Sequence, residues 1–162
     1  MMVNDIPFYI QKEQSTARVL FHASFPVERH SSKKNQKNIK RNVHTGKMFI
    51  GNTDKNNAAL NYLVSMFVSA RLNQDLHEPI NKPIWLLARF HYPKVKDTKT
   101  KQWRRTEAVA DLSNLLQGPE DALIKAGVIK DDKLIESYDG SRRVTGERHA
   151  LELYVIDYGD IN

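Results

Sequence analysis

Eight carboxylate side chains lie between residues 107 and 139, and they form the part of the chain best suited to chemistry. They are Glu107, Asp111, Glu120, Asp121, Asp131, Asp132, Glu136 and Asp139. Carboxylate oxygens are the ligands that Mg²⁺ prefers in proteins, usually beside water and substrate phosphate. A metal ion held in this way can activate a water for attack on a phosphodiester. Carboxylates alone would repel the phosphates of a nucleic acid. Their concentration in this segment therefore predicts that they hold a divalent metal ion.

Two basic segments precede this acidic region and supply the opposite charge. Residues 29–47 hold seven Lys and Arg side chains without a carboxylate, and residues 94–105 hold six against one Asp. Both segments are predicted to be exposed loops, the first with a short hairpin that closes at Thr45-Gly46. Cations that contact the phosphate backbone provide affinity without reading sequence. The candidate DNA-binding residues are Lys33, Lys34, Lys37, Lys40, Arg41, Lys101, Arg104 and Arg105.

The composition narrows the class of protein. The chain has 162 residues, of which 40% are hydrophobic, and a formal net charge of +6, which indicates a polyanionic partner. It has no cysteine, which excludes disulfide scaffolds, thiolate-bound zinc and thiol nucleophiles. Its six histidines are scattered, so zinc is not expected. No window approaches the ~18 apolar residues of a membrane span and no signal peptide is recognisable, so we expect a cytoplasmic protein without membrane contact.

Hydrophobic periodicity predicts the elements that position these residues. Strands are expected at residues 16–25, 84–92, 134–144 and 149–156, and helices at residues 53–75 and 111–126. Pro119 predicts a kink or a restart in the second helix, and Gly127 is its expected C-terminal cap. The predicted fold is α+β: a small mixed sheet packed by two main helices, in a single domain that spans residues 1–162.

Asp111 and the Asp131-Asp132 pair lie at the two ends of the second predicted helix. Each has a structural explanation, since Asp111 is a good N-cap and the Asp131-Asp132 pair suits a turn before a strand. Each also has a chemical explanation as a metal ligand. Residue type alone leaves both roles open.

Residues 111–143, taken as one unit, are similar to the core motif of the RusA family of Holliday junction resolvases. The family motif runs Asp-x-Asp-Asn-Leu, then a helix ending in Asp-Ala-Leu, then an Asp-Asp pair before a strand. The matching residues are Asp111, Asn114 and Leu115, then Asp121-Ala122-Leu123, then Asp131-Asp132, in order and without gaps. The rest of the chain agrees with the family in general layout.

The resemblance implies a Mg²⁺-dependent endonuclease, with Mn²⁺ as the alternative metal, that acts as a homodimer on branched DNA. The family's catalytic positions correspond here to Asp111, Ser113, Gln117 and Asp132. Ser113 stands where the family has an aspartate and Gln117 where it has a lysine, so one anionic ligand and one cation are missing. The resemblance makes Asp111 and Asp132 the expected metal ligands, with Asn114, Asp131 or Asp121 as the source of a further oxygen.

Two other functions stay open at this point. The departures at Ser113 and Gln117 would fit a non-catalytic DNA-binding member of the family, and the charge alone would fit an RNA-binding protein. Trp103, which lies within the second basic segment, is either a base-stacking side chain or an anchor that packs the loop on the domain. Trp85 and Phe90 lie in a predicted strand, where core packing is expected.

Replacing Lys33, Lys34, Lys37 and Lys40 together with Gln should weaken DNA binding and flatten its salt dependence. The slope of log affinity against log salt should fall by about 0.9 for each phosphate that the protein no longer neutralises. Fluorescence anisotropy of a labelled four-way junction across a series of NaCl concentrations measures this slope. A slope equal to that of the parent protein would contradict the assignment of these lysines to the DNA backbone.

Overall fold

A computed structural model of the chain describes residues 18–30, 37–41, 44–52, 54–106 and 110–159. The helices in these ranges are α1 (Asp54–Asn73) and α2 (Leu112–Lys125), with a 3-10 turn at Asp132–Leu134. The strands are β1 (Val19–Pro26), β2 (Lys37–Arg41), β3 (Met48–Asn52), β4 (Ile84–Lys96), β5 (Trp103–Arg105), β6 (Ile135–Ser137), β7 (Arg142–Gly146) and β8 (Ala150–Asp157). The α+β class is confirmed. Residues 16, 17 and 53, at the ends of predicted elements, lie outside the described ranges.

Strand β4 is the centre of the six-stranded sheet. It pairs antiparallel with β8 on one side, and β8 pairs in turn with β1. On its other side, β4 pairs parallel with β6 and then with β7. Its last residues, Lys94 to Lys96, pair antiparallel with β5. The sheet is therefore mixed, as predicted, and every strand in it except β1 pairs directly with β4.

Both faces of the first half of β4 are covered by apolar side chains. Ile84, Leu86 and Ala88 point into the main core, which also contains side chains from β1, β8 and both helices. Trp85 and Leu87 point to the opposite face and pack with residues of β8. A strand that is buried on both faces has a continuous run of apolar residues, whereas a half-buried strand alternates apolar and polar residues. This explains the sequence Ile-Trp-Leu-Leu-Ala.

The described parts of both basic segments include paired strands where long loops were predicted. Strands β2 and β3 pair in a separate two-stranded sheet, so the short hairpin predicted around Thr45-Gly46 is confirmed and extends back to Lys37. The second segment continues β4 and turns back as β5. The prediction of loops was wrong because two paired strands satisfy each other's backbone N–H and C=O groups, and this pairing needs no apolar face.

Helix α2 runs without a break through Pro119, so the predicted restart does not occur. The residue before a proline normally avoids helical geometry because its Cβ meets the proline ring. Gly118 has no Cβ, and both residues are buried in the helix. The predicted cap at Gly127 is confirmed: its φ is +73°, and Val128 N–H donates to the Leu123 carbonyl at 2.9 Å.

The predicted strand at residues 134–144 is instead two short strands, β6 and β7, separated by a turn. Gly140 has a φ of +80°, and the N–H of Ser141 donates to the carbonyl of Tyr138 at 2.9 Å. The side chain of Ser141 then bridges the gap between the two strands along β4. Its Oγ accepts from Ala88 N–H at 3.0 Å and donates to the Leu86 carbonyl at 3.2 Å. Between β6 and β7, one hydroxyl thus supplies the hydrogen bonds that a neighbouring strand would make to β4.

Ser141→Ala should destabilise the protein by about 1–3 kcal/mol, because the Ala88 N–H and the Leu86 carbonyl would be left without this hydroxyl in a part-buried position. Urea unfolding followed by circular dichroism measures this change in the free energy of unfolding. Ser65→Ala removes an exposed hydroxyl from α1 and serves as the matched control, with little or no destabilisation expected. Equal effects of the two substitutions would show that Ser141 does not support the ladder.

Candidate metal centre and DNA interface

Asp111 caps the N-terminus of α2 and collects three hydrogen bonds on one oxygen. Its Oδ1 accepts from Asn114 N–H at 3.0 Å, from Asn114 Nδ2 at 2.7 Å and from Ser113 Oγ at 3.1 Å. The predicted capping role is confirmed. It is compatible with a metal role, because a carboxylate has about four lone-pair sites across its two oxygens, and the residue is exposed.

Ser113 and Asn114 both act as donors toward Asp111. The Ser113 hydroxyl donates a hydrogen bond to the carboxylate, and Asn114 donates hydrogen bonds from both its backbone and its side-chain N–H groups. At the position of the family's second aspartate, this chain therefore has a group that fixes the orientation of Asp111 and adds no charge. Donors that hold a ligand in this way strengthen metal sites.

Asp131 and Asp132 lie together at the start of the 3-10 turn, and both are exposed. Asp131 Oδ1 accepts from Lys133 N–H at 2.9 Å, so the turn predicted for this pair is confirmed. That backbone hydrogen bond, with a side-chain hydrogen bond from Asp132, holds the pKa of Asp131 below its usual range. Lys133 also places an ammonium within electrostatic range of Asp131. Two neighbouring carboxyl groups supply oxygen ligands of the kind that a divalent cation prefers.

Glu120 and Tyr138 form a contact that the sequence analysis missed. The Tyr138 hydroxyl donates to a Glu120 carboxylate oxygen, which joins α2 to the segment after β6. Burial, and next the Glu120 hydrogen bond and charge, raise the pKa of Tyr138, and Asp132 adds to this effect. The Asp132 carboxylate therefore lies within electrostatic range of the tyrosine that is hydrogen-bonded to Glu120. The spacing of Ser113, Gln117 and Glu120 places all three on one helical face, but it does not reveal the contact with Tyr138.

Gln117 is half-buried on α2, one turn after Ser113. Three lysines that follow Gln117 in the chain could supply a cation in its place, and all three are exposed: Lys125, Lys130 and Lys133. Lys125 lies in the last turn of α2, at the opposite end from Asp111. Lys130 and Lys133 flank the Asp131-Asp132 pair in the chain.

Arg143 of β7 links the second basic segment to the start of α2. Its Nη1 donates to the carbonyl of Ala110 at 3.2 Å, next to Asp111. Its own carbonyl accepts from Arg105 Nη1 at 3.3 Å. Strand β7 thereby connects the base of the β4–β5 hairpin to the residue that precedes the candidate metal ligand.

The predicted DNA-binding residues fall into two groups. Lys101, Arg104 and Arg105 are exposed on the β4–β5 hairpin, as a backbone-binding role requires. Lys37, Lys40 and Arg41 belong to strand β2. Lys33 and Lys34, like Glu107 of the acidic region, lie outside the described residues.

Within the described ranges, no group of three or more His, Asp or Glu side chains is close enough to hold a metal ion. The described structure therefore does not bring Asp111 and the Asp131-Asp132 pair together as one three-carboxylate group. Mg²⁺ usually binds through one or two protein carboxylates and keeps several waters. The donor set is all oxygen and mostly anionic, so its chemistry fits the ion. No described helix is long and apolar enough to cross a bilayer.

Comparison with protein families identifies the chain. A family model described as endodeoxyribonuclease RusA matches residues 44–155. The chain belongs to the RusA family. RusA proteins are endodeoxyribonucleases of the Holliday junction resolvase type and are generally metal-dependent. The match spans α2, both candidate aspartate positions and the β4–β5 hairpin. A search of curated proteins gives no match for this RusA protein.

Asn114→Ala should lower the affinity for Mn²⁺ by about 10–100-fold, the usual cost of removing a donor that orients a metal ligand. The helix cap should survive, because Asp111 still accepts from the backbone N–H of residue 114. Isothermal titration calorimetry with Mn²⁺ measures the affinity directly. Asn61→Ala, at an exposed position of α1, is the matched control and should leave it unchanged. Equal affinities of the two variants would show that Asn114 does not orient a ligand.

Proposed function

We propose that this RusA protein is a Mg²⁺-dependent structure-specific endonuclease that nicks Holliday junctions and other branched DNA, in recombination and repair. Mn²⁺ would serve as the alternative metal. The observation that carries the proposal is the family match over residues 44–155, a range that includes Asp111 and the Asp131-Asp132 pair.

Asp111 and Asp132 are the proposed metal ligands, with Asp131 as the nearest source of a further carboxylate oxygen. Asn114 and Ser113 orient Asp111 through the hydrogen bonds on its Oδ1, so their role is positioning. Bound there, the metal supplies an acidified water and positive charge against the scissile phosphate.

Hydrolysis then adds water across one phosphodiester. The water oxygen forms a bond to phosphorus, the bond from phosphorus to the 3′-oxygen breaks, and a proton ends on that oxygen. The products are a 5′-phosphate and a 3′-hydroxyl, as the family resemblance implies. Gln117 can donate a hydrogen bond to a phosphate oxygen, but it brings no positive charge to the transition state. We therefore expect slower turnover than a lysine at that position would give.

The cations of the basic segments hold the substrate through its backbone. Lys101, Arg104 and Arg105 are exposed on one hairpin, whose base is hydrogen-bonded to strand β7. We also propose that the chain, as a single domain over residues 1–162, acts as a homodimer. A four-way junction has approximate two-fold symmetry, so a two-fold dimer would present one site to each of two strands.

Asp111→Asn and Asp132→Asn should each abolish cleavage of a synthetic four-way junction in Mg²⁺ while sparing junction binding. Asn keeps the shape of the side chain and caps helices well, but it lacks the anionic oxygen that Mg²⁺ needs. Gel-based nicking assays, with anisotropy for binding in EDTA, measure the two properties separately.

Asp75→Asn makes the same change at an exposed residue after α1 and should cut at the parental rate. Its φ of +54° suits asparagine as well as aspartate. If either site variant folds, binds and still cuts like the parent, the assigned aspartates are not the metal ligands. Junction binding by the parent without cleavage in Mg²⁺ or Mn²⁺ would instead identify a family member without hydrolytic activity, an outcome that Ser113 and Gln117 would explain.

A further inference from the structure

Trp103 is the most exposed large apolar side chain among the described residues, at 66%. The other tryptophan of the chain, Trp85, is 4% exposed and donates its indole N–H to the Asp139 carbonyl at 2.7 Å. Solvent exposure of an indole forgoes the stabilisation that burial of its apolar surface would give. The alternative that Trp103 anchors the segment by packing on the domain is therefore wrong.

Trp103 lies on a hairpin formed by residues 94–105, which we call the basic hairpin. Its turn is organised by Asp97, whose Oδ1 accepts from Lys99 N–H at 2.8 Å and from Thr100 N–H at 2.9 Å. The Asp97 N–H donates to the Gln102 carbonyl at 2.8 Å, which closes the turn. The backbone hydrogen bond from Thr100, followed in strength by the one from Lys99, also holds the pKa of Asp97 below its usual range. The backbone of the hairpin that carries the indole is thus fixed by its own hydrogen bonds.

Strand pairing places three cations on the face of the hairpin that carries the indole. Trp103 pairs with Lys96, and Arg105 pairs with Lys94. Directly paired residues and residues two apart share one face of an antiparallel ribbon, so these four side chains lie on the same side. Val95 and its partner Arg104 lie on the opposite side. An aromatic platform flanked by cations is the arrangement that proteins use to stack unpaired bases while they neutralise phosphates.

The hairpin is also joined to the proposed catalytic end of the molecule. Arg105 donates to the Arg143 carbonyl, and Arg143 donates to the Ala110 carbonyl beside Asp111. Trp103 lies two residues beyond Arg105, which is roughly 7 Å along the strand. Two arginine–carbonyl hydrogen bonds therefore connect the strand that carries the indole to the residue beside Asp111.

We propose that Trp103 stacks on a base exposed at the branch point of the DNA and so selects branched DNA over continuous duplex. This inference rests on the proposed function, because it takes branched DNA as the substrate. The interior of a duplex offers no free base face to an indole, whereas a crossover has bases whose stacking partner is interrupted. The three cations bind both kinds of DNA alike. Selectivity then comes from the indole, and affinity from the charges around it.

The first test uses the fluorescence of the two tryptophans. Exposed Trp103 supplies the long-wavelength part of the emission, and buried Trp85 the short-wavelength part. In EDTA, a four-way junction should quench the long-wavelength part, and a continuous duplex with the same terminal base pairs and the same number of phosphates should not. Trp103→Phe should lack that emission and its quenching. Equal quenching by both DNAs, or none, would overturn the proposal.

The second test compares affinities by anisotropy, again without metal. Trp103→Ala should reduce the ratio of junction affinity to duplex affinity by about 5- to 150-fold, the equivalent of one base stack of about 1–3 kcal/mol. Trp103→Phe should retain part of the selectivity. Val95→Ala, an exposed apolar residue on the other face of the same hairpin, is the matched control and should leave the ratio unchanged. An unchanged ratio in Trp103→Ala, with folding verified by circular dichroism, would overturn the proposal.

Failure of this inference is distinguishable from failure of the proposed function. Junction cleavage by the parent protein in Mg²⁺, together with an unchanged affinity ratio in Trp103→Ala, would reject only the role of Trp103. Junction-specific quenching of Trp103 without any cleavage would support the stacking contact and reject the proposed hydrolysis.

Discussion

The structure depends on the continuous backbone pairing of strand β4. Along its first half, β4 is hydrogen-bonded to β8 on one side and to β6, the Ser141 hydroxyl and β7 on the other. Both of its faces are buried there. An unpaired N–H or carbonyl in such a position would cost more than a normal hydrogen bond contributes. This explains why the short strands β6 and β7 and the serine between them occur where they do.

The candidate site is built around this strand without lying on it. Strand β7, fixed in register by β4, carries Arg143 to the carbonyl of Ala110 and so holds the start of α2. At its other end, α2 closes with Gly127 in a left-handed conformation, and Arg71 of α1 donates to the Ala126 carbonyl there. Both ends of the helix that carries Asp111 are therefore tied to neighbouring elements. Carboxylates that hold a metal need this fixed geometry.

The sequence predicted what local pattern determines. The apolar run of β4, the cap at Asp111 and the left-handed Gly127 follow from neighbouring residue types, and all three were found. Contacts between distant residues were not predictable. Ser141 bridges to residues more than fifty positions away, and Tyr138 reaches back eighteen positions to Glu120. Apart from the short hairpin at Thr45-Gly46, the basic segments were predicted as loops, because strand pairing uses backbone atoms, which residue composition does not reveal. Helix α2 passes through Pro119 because of the glycine before it.

The origin of the basic hairpin as an extension of β4 limits how it can change in length. Side chains of a strand alternate between its two faces, so the face that carries Trp103 is set by counting residues outward from the buried part of β4. Adding or removing two residues on each strand would lengthen or shorten the hairpin and keep the indole and its cations on the same face. A change of one residue on each strand would turn the indole to the side where Val95 now lies. Relatives that share this hairpin can thus differ in its reach by even steps, which adjusts how far into the DNA the aromatic ring extends without changing the direction in which it points.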